Sequence, residues 1–374
     1  MFKANCEQKN KKIREEIPSF ELGTIWHDPI SGHRVACLDA SKKEDVKKLM
    51  GEEKAILAIQ DPPYNVDIND EFGNLPLDQY IKWCDDWVDN TIEVMADNSS
   101  LYIWLGADIR NNLQPLPDFI LMMRKKPLKI RNFITMRNQR GYGTQKNWMA
   151  VRQELLYYVK GNPIFNVQAE YTDIPKKTRG YYKEVNGKLT ENFERSKSLT
   201  IRAGNVWYDI QQVFYLMHEN VEGCFAQKPL KSAQRIIEAS SNKGDLVIDF
   251  FGHSGTTLLQ SEISKRKCYT MDINPTYCKI MVARLLHYRR TGETGWGRTK
   301  ILKDGKFSVD NETLSILHEH GIRNVYLTEV GINRANGSRD TANNADIDIK
   351  KRIGINPSDP IPVVMLKIIQ ANLA

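Results

Sequence analysis

The stretch from residue 246 to residue 272 constrains the fold more than any other part of the chain. It begins with an apolar run that predicts a buried strand, and a turn containing Gly252 and Gly255 follows. A helix pattern then leads to a second apolar run, which ends at Asp272. A strand, a glycine turn, a helix, a second strand and an acid are the parts of a nucleotide-binding α/β unit. We therefore predict an α/β fold with a Rossmann-like sheet.

The same stretch indicates the kind of ligand. Asp249 and Asp272 lie 23 residues apart, close to the roughly 20 residues that separate a glycine turn from a ribose-binding acid. The dinucleotide pattern Gly-x-Gly-x-x-Gly is absent, which disfavours a nicotinamide oxidoreductase. An adenosine without a pyrophosphate is a better match, and S-adenosylmethionine meets that description. A plain α/β turn is the alternative without function.

A second candidate site follows the apolar run 55–59, which predicts another buried strand. The next residues include Asp61, Pro62, Pro63 and Tyr64. Because the prolines hold the backbone extended, they present a carboxylate and an aromatic ring at the carboxyl end of the strand. Ligands bind at that edge of an open α/β sheet. The alternative is a strand-to-loop turn with a capping Asp and a half-buried Tyr.

This motif suits chemistry on the exocyclic amine of a flat ring, whose lone pair is delocalised and poorly nucleophilic. Asp61 could accept one amino hydrogen and the Pro62 carbonyl the other, while Tyr64 stacks on the ring.

Further along, residues 97–100 (Asp-Asn-Ser-Ser) predict a turn, and residues 101–105 predict another buried strand.

Basic residues are concentrated in the middle of the chain, which carries +7 overall. Residues 124–202 hold 18 Lys or Arg against 6 Asp or Glu, a local excess of +12 that leaves −5 for the remainder. This imbalance predicts a polyanion partner, with a solvated loop region as the alternative. The DNA-binding candidates are Arg140, Tyr142, Lys146, Lys176, Lys177 and Arg179.

Length and composition exclude several classes. The 374 residues exceed the usual size of a single core, and no apolar run reaches the roughly 20 residues of a membrane span. The amino terminus has no apolar signal region, so we expect a cytoplasmic protein. The six cysteines and seven histidines show no ligand spacing, and we expect neither a disulfide frame nor a metal site.

The motifs and their order together resemble the β-class amino-directed DNA methyltransferases. In that family the Asp-Pro-Pro-Tyr motif comes first, the target-recognition region second and the cofactor motifs last. Here residues 61–64 are followed by the basic insert, then by Gln-Lys-Pro-Leu at 227–230 and by the cofactor motif at 249–257. The resemblance covers residues 34–297, approximately.

The resemblance implies an S-adenosylmethionine-dependent enzyme that methylates a flipped-out base in double-stranded DNA. The Asp at the head of the motif favours adenine N6 over cytosine N4. It implies a Rossmann-like methyltransferase sheet with helices on both faces, an inserted target-recognition region and a C-terminal extension. The implied catalytic residues are Asp61, Pro62, Pro63 and Tyr64, and the implied cofactor-binding residues are Asp39, Lys228, Asp249, Phe251, Ser254, Gly255, Thr256 and Asp272.

The domain organisation implied by the resemblance has four parts. Residues 1–160 form the catalytic half, 161–222 the target-recognition insert, 223–299 the cofactor-binding half and 300–374 an extension of unknown role. A cognate restriction endonuclease and a second copy of the chain stay open as partners.

His253 departs from the family pattern, because relatives usually have a glycine there. Its side chain either narrows the methionine end of the pocket or turns outward. An RNA or protein-amide methyltransferase is one alternative function. A DNA-binding protein with a decayed cofactor site is another.

Overall fold

The structure is a computed structural model of the chain. It describes residues 18–65, 75–107, 112–142, 148, 150–166, 171–175, 180–193, 200–213, 217–221, 224 and 226–296. The strands of this part are β1 (Ile25–His27), β2 (Arg34–Cys37), β3 (Ala55–Gln60), β4 (Met95–Leu105), β5 (Lys129–Tyr142), β6 (Ala150–Lys160), β7 (Tyr171–Pro175), β8 (Gly180–Val185), β9 (Lys188–Phe193), β10 (Thr200–Arg202), β11 (Val206–Trp207), β12 (Leu246–Asp249) and β13 (Lys267–Asp272). The helices are α1 (Lys43–Met50), α2 (Leu77–Val94), α3 (Leu116–Met123), α4 (Leu230–Ser240), α5 (Thr256–Ile263) and α6 (Pro275–Thr291).

The central sheet has nine strands among the described residues, in the order β1-β2-β13-β12-β3-β4-β6-β5-β11. The five strands from β2 to β4 in this order run parallel to one another. The strand β6 pairs antiparallel with both β4 and β5, whereas β11 pairs parallel with β5. The predicted α/β fold with a mostly parallel Rossmann-like sheet is confirmed.

The chain reverses its direction of winding between β12 and β3. From β12 it passes through α5 to β13 on one side, and from β3 through α2 to β4 on the other. Val247 pairs with Leu57 and Ile248 with Ala58, so the two strands end at the same height. Such a switch point opens a crevice at the carboxyl ends of the strands, where ligands bind. Asp61 and Asp249 both lie there.

Helices cover both faces of the sheet because its parallel strands are apolar on both sides. On one face Tyr80, Trp87 and Phe119 of α2 and α3 are buried against alternate residues of β3 and β4. On the other face α4 packs through Ile236 and Ile237, and α5 and α6 cover β2 and β13. None of the helices in the described ranges has the length and apolar character needed to cross a membrane.

The predicted turn at residues 97–100 is wrong, because β4 runs through it. Ser99 and Ser100 are fully buried and pair with Lys160 and Val159 of β6. The Ser99 hydroxyl donates to the Ala96 carbonyl at 2.6 Å. These polar residues favour a turn locally, but a neighbouring strand and backbone acceptors satisfy them in the sheet.

The predicted target-recognition insert, residues 161–222, contains short antiparallel strand pairs, β7 with β10 and β8 with β9. Its beginning contacts the main body, since the Asn166 side chain donates to the Glu238 and Ser241 carbonyls at the end of α4. Residues 300–374, predicted as an extension, lie outside the described residues, and the proposed domain boundaries stay predictions.

Candidate active site

Asp61 follows the last residue of β3, and its carboxylate is held by two partners. The Lys228 ammonium donates to both oxygens, at 2.9 and 2.8 Å, and the Tyr64 hydroxyl donates to Oδ1 at 2.7 Å. The Asp61 side chain is 28% exposed and that of Lys228 11%. The carboxylate is therefore fixed in orientation and still reaches the crevice.

Tyr64 lies in a slot that other parts of the chain form. A Cβ on Gly106, which follows β4, would come within 2.5 Å of the Tyr64 ring, so only glycine leaves room for the ring there. The Tyr80 hydroxyl donates to the Pro63 carbonyl at 2.6 Å and holds the backbone before the ring. Burial and the adjacent Asp61 carboxylate raise the pKa of Tyr64 well above its ordinary value. Tyr64 is thus a neutral hydroxyl donor.

The Gln-Lys-Pro segment directs Lys228 toward Asp61. The Gln227 amide donates to the Glu219 carbonyl at 2.7 Å and accepts from the Val221 N–H at 2.9 Å, which fixes the segment before α4. Lys228 Nζ lies 5.3 Å from the ring centroid of Tyr64 and 5.3 Å from that of Trp104. Aromatic faces attract a cation at this distance.

Two further acids lie beside this cluster. Asp249 accepts from the Phe251 N–H at 3.0 Å, and Asp272 accepts from the His253 and Asn274 N–H groups at 3.0 and 2.9 Å. Burial raises the pKa of Asp249 to about 7 and that of Asp272 to about 6, although these hydrogen bonds oppose the shift. The site therefore holds acids that a cationic ligand would favour in the ionised form.

The glycine turn connects β12 to α5. Gly255 has φ of +76° at the N-cap of α5, and a Cβ on Gly252 would overlap Met281 and Thr270. The fully buried Arg284 donates to the Ser254 carbonyl at 2.9 Å. The turn is therefore fixed from behind, with its open side toward the crevice.

His253 lies at this turn with φ of +43°. Its ring packs edge-to-face against Tyr277, with the centroids 4.5 Å apart, and it lines the pocket described below. Burial lowers the pKa of His253 to about 4, and the cations of Lys228 and Arg284 add to the shift. The imidazole is therefore neutral near pH 7, and the side chain narrows the pocket instead of turning away.

Six of the twelve predicted catalytic and cofactor residues line one pocket at the switch point. Its lining residues are Ile59, Asp61, Trp104, Lys228, Ser232, Ala233, Ile236, Asp249, Phe251, Gly252, His253, Ser254, Thr256 and Thr257. The lining includes the carboxylates of Asp61 and Asp249 and the ammonium of Lys228. These charges complement a ligand that carries positive charge and one carboxylate, as S-adenosylmethionine does. Gly255 lies within the lining turn, and Asp272 contacts that turn through the His253 N–H.

Asp39 is the predicted cofactor residue that the structure does not place at this pocket. It lies at the same sheet edge, after β2, two strands away from β12. Its carboxylate accepts from the Ser41 N–H and hydroxyl at 3.0 and 2.7 Å, and Lys42 lies 3.6 Å away. These contacts give it a local structural role.

Gly106, Trp104 and Arg284 were missed by the sequence reasoning. The position of Gly106 after a predicted strand next to the catalytic one was the available signal. The DNA-binding candidates Arg140 and Tyr142 lie at the end of β5. Lys146, Lys176, Lys177 and Arg179 lie outside the described residues.

A family model described as DNA methylase, of the N6 and N4 type, matches residues 56–283. This range contains both the Asp61 motif and the glycine turn. The chain belongs to the N6/N4 DNA methylase family. It is therefore a DNA methyltransferase, its cofactor is S-adenosylmethionine, and the resemblance read from the motifs is confirmed.

Two relatives found by sequence agree with this assignment. The type II methyltransferase M.BamHI of Bacillus amyloliquefaciens is 30% identical over 284 residues, which cover 73% of this chain and 60% of that protein. The DNA adenine methyltransferase YhdJ of Escherichia coli (strain K12) is 29% identical over 64% of this chain and 79% of its own length. A solved structure, the cytosine-N4-specific PvuII DNA methyltransferase, aligns with a TM-score of 0.48 at 15% identity, over 70% of this chain and 93% of that one.

Proposed function

We propose that this DNA methyltransferase transfers the methyl group of S-adenosylmethionine to N6 of adenine in double-stranded DNA. The observation that carries the proposal is the Asp61 carboxylate, held by Tyr64 and Lys228 in the same pocket as Asp249 and the glycine turn. The Asp at the head of the motif and the name of the relative YhdJ both favour adenine.

The geometry around Asp61 supports the following catalytic roles. Its carboxylate accepts one amino hydrogen, the Pro62 carbonyl accepts the other, and the amine gains electron density for attack. Tyr64 stacks on the base in the slot beside Gly106. When bound, S-adenosylmethionine supplies an electrophilic methyl group. Positioning of the amine in line with that group accounts for most of the rate acceleration.

Lys228 has to change partners during this reaction. In the structure its ammonium occupies both oxygens of Asp61, so it must release at least one of them before an amino group can donate there. The carboxylate of the methionine moiety offers Lys228 another anionic partner in the same pocket. Binding of the cofactor would thereby prepare Asp61 for the base.

The remaining cofactor contacts are assigned by position. Asp272 accepts hydrogen bonds from the ribose hydroxyls, and Asp249 faces the positively charged part of the ligand. Phe251, Ser254, Gly255 and Thr256 shape the methionine end. Asp39 approaches the adenine side only if its carboxylate leaves Ser41.

The target base is extruded from the duplex, because its amino group is inaccessible in the stack. Arg140, Tyr142, Lys146, Lys176, Lys177 and Arg179 contact the DNA, and residues 161–222 read the sequence. We further propose that the enzyme acts in the cytoplasm, in a restriction-modification system with a cognate endonuclease. Sedimentation measurements would test whether two copies of the chain associate.

Cytosine N4 is the second candidate target, because the matched family contains both activities and the PvuII enzyme is cytosine-N4-specific. The test is digestion of DNA from a methylation-free host that expresses the chain, followed by mass spectrometry of the nucleosides. We expect N6-methyladenine. N4-methylcytosine would overturn the adenine assignment but leave the mechanism unchanged.

Asp61→Asn is the matched catalytic control, since it keeps the shape of the side chain and removes its charge. We expect no methylated nucleoside and nearly unchanged S-adenosylmethionine affinity by calorimetry. Methylation at the wild-type rate would remove Asp61 from the mechanism. Methylation of RNA or protein but not of DNA, or failure of the wild-type chain to bind the cofactor, would favour the alternative functions.

A further inference from the structure

The β5–β6 hairpin extends past the edge of the sheet at which the active site lies. Leu105, the last residue of β4, pairs with Glu154 of β6. Past Met136, which still pairs with Trp207 of β11, the described residues of β5 and β6 pair only with each other, through Arg137 with Arg152 and Tyr142 with Ala150. Since Asp61 and Gly106 mark the same edge on β3 and β4, the hairpin extends outward beside the catalytic pocket.

Arg137 and Arg152 face each other directly on this extension. Residues directly opposite in an antiparallel pair have their side chains on the same face, about 5 Å apart at Cβ. Arg137 is exposed, and the side chain of Arg152 is 63% exposed. Like charges in this arrangement destabilise a sheet, so the pair is unfavourable for folding unless an anion lies between the guanidinium groups.

One carboxylate partly compensates the pair. Arg152 Nε lies 2.7 Å from Glu154, whose side chain is 10% exposed and also accepts from the Thr135 hydroxyl at 2.9 Å. Of the two guanidinium groups only that of Arg152 contacts this carboxylate, so the Arg137–Arg152 pair keeps a net positive charge. The Glu154 contact also orients Arg152 along the hairpin.

We propose that Arg137 and Arg152 form a clamp for a backbone phosphate of the DNA that flanks the target base. Guanidinium groups bind phosphate oxygens in a bidentate manner, and a phosphate between the two would remove their mutual repulsion. The two residues lie two positions beyond Glu154, about 7 Å past the sheet edge at the usual rise per residue. The clamp rests on the action on double-stranded DNA proposed above.

The test is the salt dependence of duplex DNA binding, which does not require the recognition sequence. Each phosphate contact contributes about 0.9 to the slope of log K against log salt concentration. Because the clamp holds one phosphate, we expect the double variant Arg137→Gln/Arg152→Gln to lower the slope by about 0.9, and each single variant to lower it by a measurable part of that amount. Cofactor affinity, measured in parallel, should stay at the wild-type value and reports that the fold is intact.

Lys129→Gln is the matched control, because it removes one exposed positive charge from the opposite end of β5. Lys129 lies eight residues before Arg137, about 26 Å along the strand. Its slope should equal that of the wild type. If Arg152→Gln lowers the melting temperature by releasing Glu154, Arg137→Gln alone decides the question.

Slopes of the Arg137 and Arg152 variants that equal those of the wild type and Lys129→Gln would overturn the clamp. If the proposed action on duplex DNA were itself wrong, the measurements would give a different result. In that case the wild-type protein would bind duplex DNA without a salt-dependent slope, or not at all.

Discussion

Binding of S-adenosylmethionine should release protons, because Asp249 in the pocket and Asp272 beside it are partly protonated in the free protein. The pKa of Asp249 is about 7 and that of Asp272 about 6, both raised from ordinary values of 3.8 by burial. A bound ligand with positive charge favours their ionised forms. At pH 7 the free protein would thus lose about 0.5 proton from Asp249 and about 0.1 from Asp272 on binding.

The same linkage between proton release and binding predicts how the dissociation constant of S-adenosylmethionine changes with pH. The dissociation constant should decrease as the pH rises from 6 to 8, by at most about tenfold through Asp249 and about twofold through Asp272. His253 adds nothing in this range, because burial holds its pKa at about 4. The α-amino group of the ligand titrates near pH 8, so the informative quantity is the difference between two proteins.

Asp249→Asn is the appropriate comparison, because it keeps an oxygen that can accept from the Phe251 N–H. Calorimetry in two buffers of different ionisation enthalpy should show about 0.5 fewer protons released at pH 7 in the variant. Its affinity should lose most of the rise between pH 6 and 8. Identical proton release and identical pH profiles in both proteins would refute the reasoning.

The pH dependence of the free energy of unfolding gives an independent check on the raised pKa of Asp249. Its folded-state pKa is raised above the unfolded value, so protonated Asp249 favours the folded state. This contribution is fully present below pH 3.8 and is lost as the pH rises through 7. Without cofactor, the free energy of unfolding of the wild type should therefore decrease from pH 5 to pH 8 relative to Asp249→Asn. Denaturant titrations that show parallel profiles would contradict this.

Three other substitutions test single features of the site. Gly106→Ala should reduce kcat by at least about tenfold, since the added Cβ displaces the Tyr64 ring. Its cofactor affinity should be unchanged. If the variant keeps the kcat of the wild type, Tyr64 does not stack on the base. His253→Gly should change cofactor affinity, because the His253 ring narrows the pocket, and its melting temperature should stay close to that of the wild type; unchanged affinity and rate would mean that the ring has no role. Asp272→Ala should weaken cofactor binding by about 1–3 kcal/mol, the cost of leaving polar groups unpaired, and unchanged calorimetric affinity would contradict its assignment to the ribose.

The sequence by itself determined which residues end the strands of the site. Apolar runs of strand length followed by proline, glycine or acid are local signals, so Asp61 and Asp272 could be placed at strand ends without the structure. Asp249 was placed within a strand predicted over 246–251, which ends at Asp249 in the structure. The order of the motifs then indicated the family. These signals work because periodicity and turn chemistry act within a few residues.

The tertiary structure alone decided how these strand ends meet. Lys228 and Asp61 are 167 residues apart in the chain, and the Gln60 side chain accepts from the Phe250 N–H across 190 residues. Such contacts depend on β3 and β12 being neighbours at the switch point, which no local pattern encodes. The same holds for the slot that Gly106 leaves for Tyr64.

Local preferences were also overruled where a neighbouring strand supplied partners. Residues 97–100 have turn composition but lie in β4, because pairing with β6 satisfies their backbone. A sequence specifies which groups are available, and the packed sheet determines which of them remain open to a ligand, since hydrogen-bond partners and buried charge are fixed only by contacts distant in the chain.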